Sequence, residues 1–407
     1  MIDEKIIDKL VERLVLRIEE GNTYTLQKIG ESNKKIGTLT PSKAQQLGQI
    51  IKYGGNFDKI VEKLAKVTDL NVADIYEIFE EVAKSDYAFS KQFYDYKGVK
   101  YIPYEENIAL QNQVKALARI TANEYVNFSN TLAFTKRVNG RVVYTDLART
   151  YQETLDKAIL SVAQGKSTFD EQMYSTIKEL GSSGLKTVDY ASGRSVRLDS
   201  SVRQHMKGAL RNLHNETQAI FGEEFDSDGV EISTHLNPAP DHAEVQGRQF
   251  SKEEFAKFQN DQDAVDYTGK LFTKEHEGHD RRSISEYNCY HYTFDIVLGV
   301  SNPEYSEEEL QKIIDDNNKG FELDGVHYTN YEGTQLQRKI ELEVRKQKDI
   351  QIMAKASGNK ELVQESQQKI TQLTHKYKEL SDVSGLPTKM ERMRVPKYRR
   401  ISVKKLQ

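Results

Sequence analysis

Four side chains in the middle third of the chain carry donor atoms worth explaining first. His235 and His242 bracket Leu-Asn-Pro-Ala-Pro-Asp, and Cys289 and His291 stand two apart in Asn288-Cys289-Tyr290-His291. Imidazole nitrogen and thiolate sulfur are the ligands a tetrahedral zinc ion takes, three or four at a time, and two pairs from separate segments are a common way to supply them. If residues 287–292 are extended, Cys289 and His291 project from one face and can reach the same ion. That geometry suits a closed, structural site. The spacing is not a standard zinc signature, and the plainer alternative is a buried thiol beside satisfied histidines. Most of the nine histidines fall between His205 and His291, but His276 and His279, in Lys274-Glu-His-Glu-Gly-His-Asp280, read as a polar loop. The same donors admit a second chemistry. With His235, His242 and Cys289 as ligands and an open fourth position, Glu244 or Asp241 would be the general base of a metal-dependent hydrolase. No helical His-Glu-x-x-His word or paired catalytic signature accompanies them, so the sequence favours a protein that is not an enzyme.

Charge singles out a second set. From Lys389 onward, Lys389, Arg392, Arg394, Lys397, Arg399, Arg400, Lys404 and Lys405 are opposed only by Glu391, in a chain whose 58 Lys and Arg against 62 Asp and Glu give a net charge of −4. An acidic total predicts no general attraction to nucleic acid, so phosphate contact is credible only where cations are locally dense. Non-specific contact with double-stranded DNA is the functional reading of this segment, and a solvated tail is the bland one. Tyr398 is its one aromatic residue, so base stacking is not expected.

The scaffold behind these residues is bounded by composition. A chain of 407 residues with 37% hydrophobic content allows two or three modest domains. A single cysteine excludes an internal disulfide. No run approaches the roughly 18 apolar residues of a membrane span, and no signal-peptide core opens the chain, so a soluble, unexported protein is expected.

Residues 1–180 read as a helical docking region. Ile6, Leu10 and Leu14, widened by Ile7, Val11 and Ile18, form an amphipathic stripe in search of a partner. Thr40-Pro41 opens a further helix, and Asn56 and Asn71 each cap a short one, carrying Ile60, Leu64 and Val67 and then Ile75, Ile78, Phe79 and Val82. Helix is permitted from Ile108 to Phe134 and resumes from Asp146 to Val162, with a β-hairpin between them, marked by Asn139-Gly140 near 137–144. Residues 181–300 form a small α+β module: two extended pieces over 187–198, a helix capped by Asp199, and a half-buried strand from Gly229 to His235 with Glu231, Ser233 and His235 on its polar face. Residues 301–385 make an antiparallel helical hairpin broken at Ser357-Gly358-Asn359, on which Arg338, Glu341 and Arg345 form a solvated ionic row. Residues 386–407 are the basic tail. The sum is a predominantly helical α+β protein.

Several of these words, in this order, resemble the tailed-phage minor capsid protein 2 family. They are Val188-Asp-Tyr190 through Arg194-Ser-Val-Arg197-Leu-Asp199, Val202-Arg203, Ile232-Ser-Thr-His235, Pro240-Asp-His242-Ala, Gln246-Gly247-Arg248, Asn288-Cys289-Tyr290-His291, Leu298-Gly299-Val300, the Gln335-Leu-Gln337-Arg338 helix, and Met390 to Tyr398. Ordered motifs of this kind are more specific than any one of them alone. The family is similar to the Mu F-like head-morphogenesis proteins. The resemblance implies a virion structural protein in few copies, in the capsid interior or at the portal vertex, and in the host cytoplasm during assembly. Its implied partners are the portal protein, the major capsid protein or both, and packaged double-stranded DNA. Its implied roles are head assembly and genome contact or ejection, the alternative being a zinc-dependent hydrolase acting in virion maturation or DNA entry. The His/His and Cys/His elements fall on the family's own words, which strengthens the case for structural zinc. Two departures stand out: Ala239-Pro240-Asp241 replaces the usual Arg before the second His, and polar Arg281 to Tyr287 replaces a Gly-rich approach to the Cys.

Overall fold

The computed structural model describes residues 4–37, 55–130, 132–138, 141–164, 166–188, 195–260, 283–284 and 289–402. Thr40-Pro41, the Asn139-Gly140 turn, His276, His279, Asn288, Lys404 and Lys405 lie outside the described residues. The architecture is predominantly helical α+β, with small antiparallel sheets set among long helices.

Helix α1, Glu4–Gly37, finds the partner its stripe requires within its own chain. Ile7, Val11, Leu14, Val15, Ile18, Leu26 and Ile29 are all buried. They pack against α2 (Gly55–Lys97), α4 (Leu147–Gln164), α5 (Lys166–Ser183), α6 (Leu198–Glu224) and α9 (Asn330–Ser357). One apolar cluster therefore gathers residues from Ile7 to Leu362. Gly30 lets α1 and α9 approach closely, since a Cβ there would meet Met353 O at 2.9 Å.

Where Asn56 and Asn71 suggest two short helices, the structure has one, α2. Asn71 is fully buried in its middle, donating to Leu14 O at 3.2 Å and to the Tyr125 hydroxyl at 2.6 Å. A side chain satisfied by distant partners no longer competes for local backbone groups, so the helix runs on. Helix α3, Ile108–Asn130, stops short of the permitted range. Leu132, Ala133 and Phe134 instead enter β1, Leu132–Val138, which pairs with β2, Arg141–Asp146, in the expected hairpin. β1 also pairs with β3, Lys186–Val188, which pairs with β4, Ser195–Arg197, giving the order β2-β1-β3-β4.

Asp199 does not cap α6, whose N-cap is Arg197. Its buried carboxylate instead accepts from Arg197 Nε at 3.3 Å and from the Arg345 guanidinium, while Arg197 Nη2 reaches Asp349 at 2.8 Å and Glu19 at 3.6 Å. The row on α9 is consequently solvated only at Arg338, which is exposed: Arg345 serves this network and buried Glu341 accepts from the Tyr377 hydroxyl at 2.9 Å.

The second sheet positions the site. It has the order β6-β5-β7, from β5 (Gly229–Ile232), β6 (Gln249–Ser251) and β7 (Thr293–Ile296). β5 is shorter than its alternation suggests and buried throughout, because it is the central strand and Glu231 is covered as well as Val230 and Ile232. His214 ties this sheet to the helical body, with Nδ1 2.7 Å from Asp86 of α2 and Nε2 2.9 Å from Thr293 O of β7.

At the carboxy-terminal end, α9 and α10 (Lys360–Ser384) form the expected hairpin. Gly358 is left-handed at φ 83°, and the Asn359 side chain accepts from Leu362 N at 2.9 Å. The following segment is docked rather than loose. Met393 and Val395 are buried, Lys348 Nζ donates to Met393 O at 2.6 Å, and Gln367 Oε1 accepts from Tyr398 Oη and Ile401 N, each at 3.0 Å.

Candidate metal centre

The centre is assembled where two loops leave the ends of the β6-β5-β7 sheet. Past β5, the chain makes a helical turn in which Gln246 N donates to His242 O at 3.2 Å and His242 N to Ala239 O at 3.0 Å. Gly247 then returns the chain to the sheet, with its N–H on Ile232 O at 2.8 Å. Its φ of +71°, and the 2.6 Å at which a Cβ would meet Thr234 Oγ1, explain why glycine stands there. On the other side, residues 289–292 lead directly into β7, and Tyr292 N donates to Ser233 Oγ at 2.9 Å. The Arg211 guanidinium of α6 holds the Cys289 carbonyl.

These constraints bring His242, Cys289 and His291 together, at 1%, 3% and 3% exposure. Cys289 Sγ lies 3.6 Å from His242 Nδ1 and 3.5 Å from His291 Nδ1, and the three donor atoms all fall within 4.8 Å of one another. Zinc bonds of about 2.3 Å to sulfur and 2.0–2.1 Å to nitrogen, meeting at a tetrahedral angle, set an S···N separation of about 3.6 Å. The His291 backbone N–H also points at the sulfur at 3.4 Å. The His-Cys-His group could hold a metal ion. Among the described residues it is the one group of three or more such side chains that converges in this way.

His235 reaches the same place in a different posture. Its ring is half-buried and lies against His291, with centroids 4.4 Å apart and planes tilted by 49°, outside the converging trio. Asp241 stands 3.8 Å from His242 Nε2, and Glu244 is half-buried on the same turn. The residue that spacing did not single out is Gln246. It is 1% exposed, and its Oε1 lies 3.3 Å from His291 Nε2. Its position four after His242 on one helical turn was the available signal.

Of the cationic set, Arg394, Lys397, Arg399 and Arg400 are exposed. Arg392 is partly covered 4.0 Å from Asp8, and Lys389 is half-buried. Lys397 Nζ lies 5.3 Å above the Tyr24 ring and 3.4 Å from Gln27 Oε1, so this segment also touches α1.

A buried trio of metal-capable donors in a mostly helical scaffold, with cations along one edge, describes a class of architecture rather than a protein. The comparisons supply the family. Residues 2–382 match the family model described as phage minor capsid protein 2, and the chain belongs to that family. It is a phage structural protein, and membership implies assembly with other head proteins and a place in the virion. No curated protein and no solved structure matches it. No helix among the described residues is long and apolar enough to cross a membrane.

Proposed function

We propose that this minor capsid protein is a structural component of the portal vertex, stapled by one zinc ion and turning its carboxy-terminal cations toward packaged DNA. The observation that carries the zinc assignment is the pair of S···N separations, 3.5 and 3.6 Å, at donors excluded from solvent. His242, Cys289 and His291 supply three corners of the tetrahedron, and His235, already against His291, is the nearest imidazole for the fourth. Burial favours structure over catalysis, because a substrate must reach the metal or its bound water and these donors are 1–3% exposed. A bound ion would join the 239–247 turn to the strand entering β7, fixing the sheet at the point where two loops cross.

Partner choice rests on the resemblance to head-morphogenesis proteins and on the packing of α1. Because the apolar face of α1 is used internally, docking falls to the outer surface of the folded chain rather than to a free amino-terminal helix. The test uses the full-length protein. As purified it carries about one zinc per chain by elemental analysis, and Cys289→Ser loses both the metal and several degrees of melting temperature. Zinc near zero with an unchanged melt rejects the staple. Mixed with the portal and major capsid proteins of the same phage, it co-purifies with the portal, and retention by neither rejects the assignment.

A further inference from the structure

We propose that Gln246 is the positioning residue of the centre, fixing the tautomer of His291 so that its Nδ1 lone pair faces the thiol; this rests on the metal reading above. The argument begins with the backbone. His235 N donates to Gln246 Oε1 at 2.8 Å, and Gln246 Nε2 donates to His235 O at 3.1 Å. A backbone N–H can only give and a carbonyl can only receive, so this pair leaves one possible orientation for the amide. The oxygen is the atom turned toward His291.

The imidazole has no freedom after that. Its Nε2 lies 3.3 Å from an oxygen that cannot donate, so Nε2 carries the proton. A neutral imidazole protonated at Nε2 keeps its lone pair on Nδ1, the atom 3.5 Å from Cys289 Sγ. Metal binding requires that lone pair, and a ligating histidine ordinarily gives its other N–H to an acceptor that sets ring orientation and raises basicity. Here the acceptor is a buried amide oxygen.

Gln246 also closes the loop between His235 and itself. The same amide pins both backbone groups of His235, and the helical turn that presents His242 ends at Gln246. One side chain therefore fixes the rotation of His291 and the mouth of the loop carrying His242. Without it, His291 can take the opposite tautomer and turn a hydrogen toward the sulfur.

The test separates the acceptor from the loop closure. Gln246→Glu keeps an oxygen for His291 and for His235 N, whereas Gln246→Leu removes both. Zinc affinity is read by competition with a chelator, and cobalt(II) substitution reports the thiolate through its charge-transfer band. Gln246→Leu is expected to weaken zinc binding by about 10–100-fold, with Gln246→Glu within a few-fold of the wild type. Equal affinity in Gln246→Leu and the wild type overturns the proposal, as does equal weakening in both variants, which would make loop closure the whole effect. Nitrogen-15 spectra of ring-labelled histidine in the metal-free wild type give an independent reading. His291 is protonated at Nε2 if the proposal holds, and protonation at Nδ1 overturns it. A wild type that binds no zinc rejects the metal reading, and those spectra then decide the tautomer separately.

Discussion

Glu19, Asp199 and Asp349 meet Arg197 and Arg345 inside the helical body, three carboxylates on two guanidiniums, with the carboxylates and Arg197 buried and Arg345 partly covered. The carboxylates do not share the cations equally. Despite its burial, Asp199 is held below the ordinary carboxylate range by Arg345 and Arg197, whereas Glu19 is pushed well above it by burial and then by Asp199 and Asp349. A folded state that retains a proton after the unfolded chain has lost it becomes less stable as pH rises. The loss begins near the unfolded Glu value of about 4.3 and continues to the folded value, at about 1.4 kcal/mol per pH unit. Glu19→Gln imitates the protonated acid and removes that dependence. It should match the wild type near pH 4 and exceed it at pH 7 in denaturant unfolding. An identical pH dependence in the two proteins would show that Glu19 is ionised in the fold.

At the scale of elements, Asn71 shows what local patterning leaves out. Its type and place suggest a cap, but its partners lie on α1 and α3, 57 and 54 residues away. The two roles predict different substitutions. Asp caps a helix as well as Asn does, yet it cannot donate to Leu14 O. Asn71→Asp should therefore destabilise by at least about 2 kcal/mol, measured by the denaturant midpoint, where a cap would be nearly indifferent. The elements that could be read from sequence are those formed by neighbouring residues: the β1–β2 hairpin, paired from Ala133 with Asp146 to Val138 with Arg141, and the α9–α10 hairpin closed at Gly358 and Asn359. Those that could not were decided by remote partners. Asp199 meets Arg345 146 residues on, and β5 is covered on both faces by elements its own alternation does not describe. The centre stands between these cases. The type of donor at His242, Cys289 and His291 could be read directly, whereas the tilted posture of His235 against His291 and the part played by Gln246 depend on how a loop closes.

Across the whole molecule, net charge and local charge point in opposite directions. The acidic total repels DNA, so the proposed contact would depend on exposed cations such as Arg394, Lys397, Arg399 and Arg400, held on a segment docked against the hairpin and α1. A docked row of cations should behave as a fixed number of phosphate contacts. Replacing all four by alanine should lower the slope of log K against log salt by up to about 3.6, at roughly 0.9 per contact, without changing the melt. An unchanged slope would remove DNA from the account of this surface.

The packing of α1 on α9 also sets a timetable for synthesis. Helix α1 rests on one that leaves the ribosome roughly 300 residues after it, about 15–60 s at ordinary elongation rates. Throughout that interval the stretch of α1 around Asn22 and Gly30, which meets Asp349 and Met353, has no α9 to cover it, so nascent chains are exposed to aggregation. Versions truncated before residue 330 should collect in the insoluble fraction, and chaperone supply should limit yield in the infected cell.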